Sequence, residues 1–143
     1  SGASLEPERT VIVAGHGAEA VGKAAQGWDD RAEVVLQAEQ LGTGHGVAQA
    51  QGALADFSGD AIVLYGDTPF ISPETLTAMA AARQFHDVVV LGFDAADPGR
   101  YGRLVTAGDT LQKIVEFKDA SDEERAITLC NSGVIAGRFL YVV

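Results

Sequence analysis

The sequence predicts an α/β fold, a mostly parallel sheet with helices on both faces. Three observations predict it. Short β-branched apolar runs (TVIVAG, AEVVL, AIVLYGD, DVVVLGFD) recur through the first two-thirds of the chain. Stretches of helical composition separate them, and glycine or aspartate ends several of the runs. Strands that alternate with helices imply parallel pairing through helical crossovers. Ligands of such sheets bind beyond the carboxyl ends of the strands. The loops to inspect are therefore Gly15–Gly17, Gln37–Gly46 and Tyr65–Phe70.

Thr10–Gly15 reads as a buried strand, being short, apolar and β-branched. Ala18–Gly27 has helical composition and a glycine stop, and Ala32–Ala38 reads as a second strand. A helix is expected from about Thr43 to Phe57, because Val47, Ala50 and Leu54 form one stripe. Thr43 is its expected cap. Ala61–Asp67 is the clearest strand. Ser72–Gln84 carries a helix-start signature, with Ser72 at the N-cap and Pro73 at the first helical position. Asp87–Asp94 is a fourth strand. The pattern then changes: YGRLVT, LQKIVEFK and GVIAG are strand-like, with no evident helix between the first two. Asp119–Ile127 reads as a charged helical or loop insertion.

The 143 residues suit one domain, 1–143, with no internal repeat or linker. A content of 47% hydrophobic and 21% charged residues is ordinary for a globular chain. The net charge of −10 repels a nucleic-acid backbone, so no such partner is expected. One bound nucleotide remains compatible, since local loops and a metal can handle its phosphates. No apolar run approaches the ~20 residues that span a bilayer, so no membrane partner is expected. Cys130, the single cysteine, reads as a buried, inert thiol, which fits a reducing, cytoplasmic setting.

Four motifs have chemistry to weigh. GAEAVGKA, at Gly17–Ala24, nearly matches a P-loop, but Ala24 stands where Ser or Thr should hold Mg²⁺. Its helix-forming AEAV is also unsuited to cradling phosphates. GTGHG, at Gly42–Gly46, follows a strand and opens a helix, as a dinucleotide fingerprint would, yet Val47 replaces its third glycine. Its glycines permit close approach of a ligand to the main chain, and first-turn N–H groups could receive a polar group. His45 reads as a structural rather than a catalytic residue.

Asp67, in YGDTPFI, lies just off a strand end. It suits a Mg²⁺ ligand, because that ion takes one or two carboxylates and keeps waters and substrate phosphates. It suits equally a cap on the turn before Pro69. Glu116 and Lys118 alternate with Val115 and Phe117, placing both on one strand face, where Glu116 could accept from sugar hydroxyls or simply be solvated. Asn131 could offer donor and acceptor to a substrate, or make a turn with Ser132 and Gly133.

Taken in order, LQAEQLGTGHG, AIVLYGDTPFISPETL, DPGRYGRLV, IVEFKDASDEER and CNSGV resemble the pyrophosphorylase domain of bacterial N-acetylglucosamine-1-phosphate uridylyltransferase. The resemblance spans about Thr10 to Val143. It implies a Rossmann-like nucleotide-diphospho-sugar transferase fold, with Mg²⁺ as cofactor. The implied reaction is uridylyl transfer from UTP to N-acetylglucosamine 1-phosphate, giving UDP-N-acetylglucosamine and pyrophosphate. It further implies that Gln37 reads the uracil edge and that Gly42 and Thr43 form the nucleotide-contacting turn. Tyr65, Gly66 and Asp67 match the strand-end triplet, with Asp67 as catalytic metal ligand. Gly102, Glu116 and Asn131 match residues that hold the sugar. Ser132 stands where Thr is more usual.

The family's Arg- and Lys-bearing glycine loop, which wraps the triphosphate, has no counterpart in the sequence, nor has the first strand before it. The second metal ligand is also unmatched. A partial domain is therefore expected, with little or no activity alone and self-association through an exposed sheet edge. Rival readings are another sugar-1-phosphate nucleotidyltransferase, an NAD-type dinucleotide-binding domain, and a non-catalytic nucleotide-binding module.

Overall fold

The structure is a computed structural model in which residues 5–67 and 71–139 are described. Its elements run in the order β1 (Val11–Ala14), α1 (Ala18–Trp28), β2 (Glu33–Leu36), α2 (Thr43–Gln49), β3 (Asp60–Val63) and α3 (Pro73–Arg83). There follow β4 (Val88–Asp94), β5 (Arg103–Ala107), β6 (Thr110–Val115), α4 (Asp122–Arg125) and β7 (Leu129–Arg138). A 3-10 turn at Phe117–Asp119 precedes α4. The expected strand–helix alternation holds from β1 to β4.

The pairing corrects the expectation of a mostly parallel sheet. β1 and β2 pair in parallel as a separate two-stranded sheet. The other five strands form a second sheet, and all its recorded ladders are antiparallel. The cause is β7. It runs between β3 and β4 and opposite to both, so these two strands share a direction without touching as neighbours. Only GVIAG, the later part of β7, reads as a strand in the sequence, because Asn131, Ser132 and Gly133 look like a turn. They form a bulge instead: the β4 register shifts between Val90, opposite Ile135, and Gly92, opposite Asn131.

α3 shows how sequence gives element here. The Ser72 hydroxyl accepts from Thr75 N at 3.2 Å, and Pro73 begins the helix, as expected. Leu76, Met79 and Arg83 are its buried residues, spaced as one helical stripe. Met79 packs with Val134 and Ala136 of β7, and Ile62, Leu64, Ile71, Val89 and Leu91 close around them. Burying a side chain such as Leu76 is worth about 1.5–3 kcal/mol. The buried Arg83 guanidinium reaches Asp60 at 3.0 Å, tying α3 to the start of β3. Cys130 is fully buried, as expected.

Three local expectations are corrected. α2 stops at Gln49 rather than Phe57, and turns follow it, because Gly52 gives the backbone freedom that a helix interior must remove. Thr43 is the first helical residue, not the cap: Gly42 holds the cap position, with φ of 102°. β6 ends at Val115, so Glu116 and Lys118 do not share a strand face: Lys118 lies in the 3-10 turn that Glu116 precedes.

Candidate active site

β2 and the loop after it set one side of the site. Gln37 N donates to Ala14 O at 2.9 Å, extending the β1–β2 pairing by one bond. This aims the Gln37 side chain at the first turn of α2. Its Nε2 donates to Gly42 O at 3.2 Å and lies 3.1 Å from His45 Nδ1. The Gln37 Oε1 stands close to Gly46, 3.4 Å from where a Cβ would be. Gln37 therefore braces the GTGHG turn, and its carbonyl oxygen is the atom left for a ligand. His45 sits between Gln37 and Gln49, whose Nε2 is 3.2 Å from His45 Nε2. That bracing role agrees with a structural histidine.

The P-loop-like segment is settled by α1. Gly22 and Lys23 lie inside the helix, and Lys23 pairs with Glu19 at 3.0 Å. The backbone there is already hydrogen-bonded and cannot wrap a phosphate.

β3 delivers Tyr65, Gly66 and Asp67 just past its end. Asp67 is exposed and lines an open cleft of about 490 Å³ with Ile71, Ser72, Thr75, Leu91, Phe93 and Ser132 among others. Among the described residues, no group of three or more His, Cys, Asp or Glu could hold a metal. A lone carboxylate fits an ion that arrives with its waters and a substrate's phosphates, and does not fit a protein-caged one. Thr68–Phe70, the rest of the predicted loop, lie outside the described residues, and with them the turn that Asp67 was expected to cap.

The β5–β6–β7 end brings three predicted residues together. Asn131 N donates to Gly102 O at 2.9 Å. A Cβ on Gly102 would stand 3.4 Å from Glu116 Oε1. The Asn131 Oδ1 accepts from Gly133 N at 2.9 Å, which fixes the side chain and leaves its amide NH₂ as donor. Gly133 has φ of 85° and lies under the Tyr65 ring. Ser132 completes the bulge: its hydroxyl donates to Leu91 O at 2.6 Å and accepts from Val134 N at 3.1 Å. Sequence reasoning passed over Gly133 and Ser132 as site-shaping residues, although the NSG triplet was the signal that could have shown them.

Glu124 accepts hydrogen bonds from Lys113 and from Ser121 N. The hydrogen bond from Lys113, then that from Ser121 N, holds its carboxyl below the ordinary carboxylate range. It lies on α4, in a capping box with Ser121.

Two sheets, helices laid on them and a strand-end cleft flanked by fixed polar groups define an α/β domain with a ligand-sized cleft. The model of the MobA-like NTP transferase domain matches residues 2–129. The chain belongs to that family and is a domain of nucleotidyltransferase type. It is 70% identical over 135 residues to the bifunctional protein GlmU of Cereibacter sphaeroides, covering 94% of this chain and 30% of that protein. It is 65% identical over 136 residues to the bifunctional protein GlmU of Ruegeria pomeroyi, covering 95% of this chain and 30% of that protein. The chain thus spans about 30% of the length of these curated relatives. They bear out the resemblance drawn from the motifs. Among solved structures, UDP-glucose pyrophosphorylase complexed with UDP-glucose superposes with a TM-score of 0.74 at 15% identity, over 99% of this chain and 63% of that one. HddC from Yersinia pseudotuberculosis gives 0.71 at 20% identity, over 97% and 61%. These likenesses show the fold, which is Rossmann-like and of the nucleotidyltransferase kind.

Proposed function

We propose that the protein transfers a uridylyl group from UTP to N-acetylglucosamine 1-phosphate, with Mg²⁺ as cofactor. Pyrophosphate and UDP-N-acetylglucosamine are the products. The observation that supports this most is the meeting of Glu116 and Asn131 at Gly102, residues of β5, β6 and β7 or beside them, with Tyr65 packed on Gly133 two residues from Asn131. An acceptor carboxylate, a donor amide and bare backbone suit the hydroxyls and acetamide of an amino sugar. The family membership supplies the reaction class.

In this reading Gln37, Gly42 and Thr43 hold the uracil end, and Tyr65 and Gly66 lie along the nucleotide. Gly102, Glu116 and Asn131 hold the sugar. A phosphate oxygen of the sugar 1-phosphate attacks the α-phosphorus in line. A new phosphorus–oxygen bond forms as the bond to pyrophosphate breaks, with no covalent enzyme intermediate. The chain's contribution is orientation, which can supply much of such a barrier. Asp67 is the residue that would hold Mg²⁺, which when bound offsets phosphate charge. The dinucleotide-binding alternative gives Glu116 and Asn131 no task.

UDP-N-acetylglucosamine feeds cell-wall and peptidoglycan synthesis, and we place the activity in the bacterial cytoplasm, where such charged substrates are made. Self-association through a sheet edge belongs to the same reading. Within the described residues β1 pairs with β2 alone and β3 with β7 alone, so each has a free edge.

The test is a titration with a panel of nucleotide sugars, followed by NMR. UDP-N-acetylglucosamine should perturb Gln37, Tyr65 and Asn131 at lower concentration than UDP-glucose or ADP-glucose. Preference for another base or sugar would overturn the assignment of substrate, and shifts elsewhere would overturn the site.

A further inference from the structure

Arg103 is 2% exposed, yet no carboxylate lies within ion-pair distance of it among the described residues. A guanidinium buried without an acid is costly unless its N–H groups are satisfied. Here they point at main-chain carbonyls. One terminal nitrogen donates to Tyr101 O and, at 3.5 Å, to Pro98 O. The other donates to Gly99 O at 3.1 Å and to Arg125 O at 3.3 Å. Nε has no partner. The Phe117 ring lies 5.9 Å from the Arg103 guanidinium and 4.6 Å from that of Arg125.

The register makes this arrangement informative. Arg103 lies opposite Val115 on β6 and opposite Cys130 on β7. Gly102 precedes Arg103, Glu116 follows Val115, and Asn131 follows Cys130. Each residue assigned to the sugar is therefore the chain neighbour of Arg103 or of one of its two cross-strand partners. The same guanidinium holds the loop that leads into Gly102 and the end of α4, whose Arg125 Nε bonds Phe117 O at 3.2 Å.

We propose that Arg103 is a positioning residue for the sugar-phosphate acceptor. Its planar fork fixes the distances among Gly102, Glu116 and Asn131 without itself touching substrate. The inference rests on the sugar assignment made above. A lysine cannot replace the fork, since an ammonium is one point with three donors and cannot reach divergent carbonyls.

The test is steady-state kinetics of the full-length protein, varying UTP and N-acetylglucosamine 1-phosphate separately. Arg103→Lys should raise KM for the sugar phosphate about tenfold and leave KM for UTP within about twofold, as expected for misplaced binding groups. A merely structural role would lower the folded fraction, so that apparent kcat falls and both KM values stay put. That result, or an equal rise in both KM values, would overturn the proposal. Should Arg103→Lys not fold, Phe117→Leu decides by the same split, about threefold, because it removes the ring but keeps the core apolar. If the wild-type protein releases no pyrophosphate from these substrates, the functional reading itself fails and this inference with it. Wild-type turnover without the split overturns the role of Arg103 alone.

Discussion

The Tyr65 ring lies against the backbone of Gly133: a Cβ at position 133 would stand 2.8 Å from Tyr65 Cε2. The contact joins the end of β3 to the bulge of β7, and so joins the proposed nucleotide side of the site to its proposed sugar side. Gly133→Ala meets two penalties, this clash and a φ of 85° that disfavours any Cβ. The backbone part alone costs about 1–2 kcal/mol. The double variant Tyr65→Ala/Gly133→Ala should lose less stability than the sum of the single changes, because the clash is gone. Denaturant unfolding of the four proteins measures this, and strict additivity would show that the ring does not press on residue 133.

Ser132 locks the same bulge through Leu91 O and Val134 N. Ser132→Ala leaves both groups without that partner and should cost about 1–3 kcal/mol. Ser132→Thr keeps the hydroxyl and should restore most of it. Thermal melting of the pair against wild type is the check.

Gln37 Nε2 braces Gly42 and His45, and in the proposed reading Oε1 meets the nucleotide. Gln37→Ala removes both functions. KM for UTP should rise about tenfold or more, with KM for the sugar phosphate little changed, in line with one lost polar contact of ~1.4 kcal/mol. Competition among nucleoside triphosphates should also show a weaker preference for the uracil base.

The Lys113–Glu124 pair gives a pH dependence. Its hydrogen bonds hold the Glu124 carboxyl below the ordinary carboxylate range in the folded chain. A lowered folded value means that stabilisation is fully present above the unfolded pKa and is lost as pH falls through the folded one. Acidification below the ordinary carboxylate range should therefore loosen α4, and Glu124→Gln should flatten that part of the profile. Amide exchange at Glu124 and Arg125 as a function of pH reads it. Lys113 is exposed and Glu124 only half-buried, so salt should weaken the effect in part.

The sequence made some parts of this molecule legible and hid others for physical reasons. β3 was readable because AIVL is unbroken and ends in YGD, and α3 because Ser72 and Pro73 mark its start unambiguously. Asn131 and Gly102 could be singled out, but their hydrogen bond could not, since it depends on the register of β5 against β7. The first part of β7 was hidden by its bulge, because polar residues and a glycine at positive φ imitate a turn, while GVIAG beyond it read as a strand. Its position between β3 and β4 is a property of topology that local periodicity does not carry. Arg103 was hidden by its type, since a lone arginine in a strand reads as a solvent-facing residue. Only packing shows it buried over Phe117.

The central claim is nucleotidyl transfer at the strand-end cleft that Asp67 lines. The most direct measurement is pyrophosphate release by the full-length protein with UTP, N-acetylglucosamine 1-phosphate and Mg²⁺, compared with Asp67→Asn. The prediction is release that requires both substrates and a fall of about 10²–10³ in kcat for Asp67→Asn, the size expected when a charge-stabilising group is lost. Turnover by Asp67→Asn equal to wild type, or no release by wild type, would contradict it.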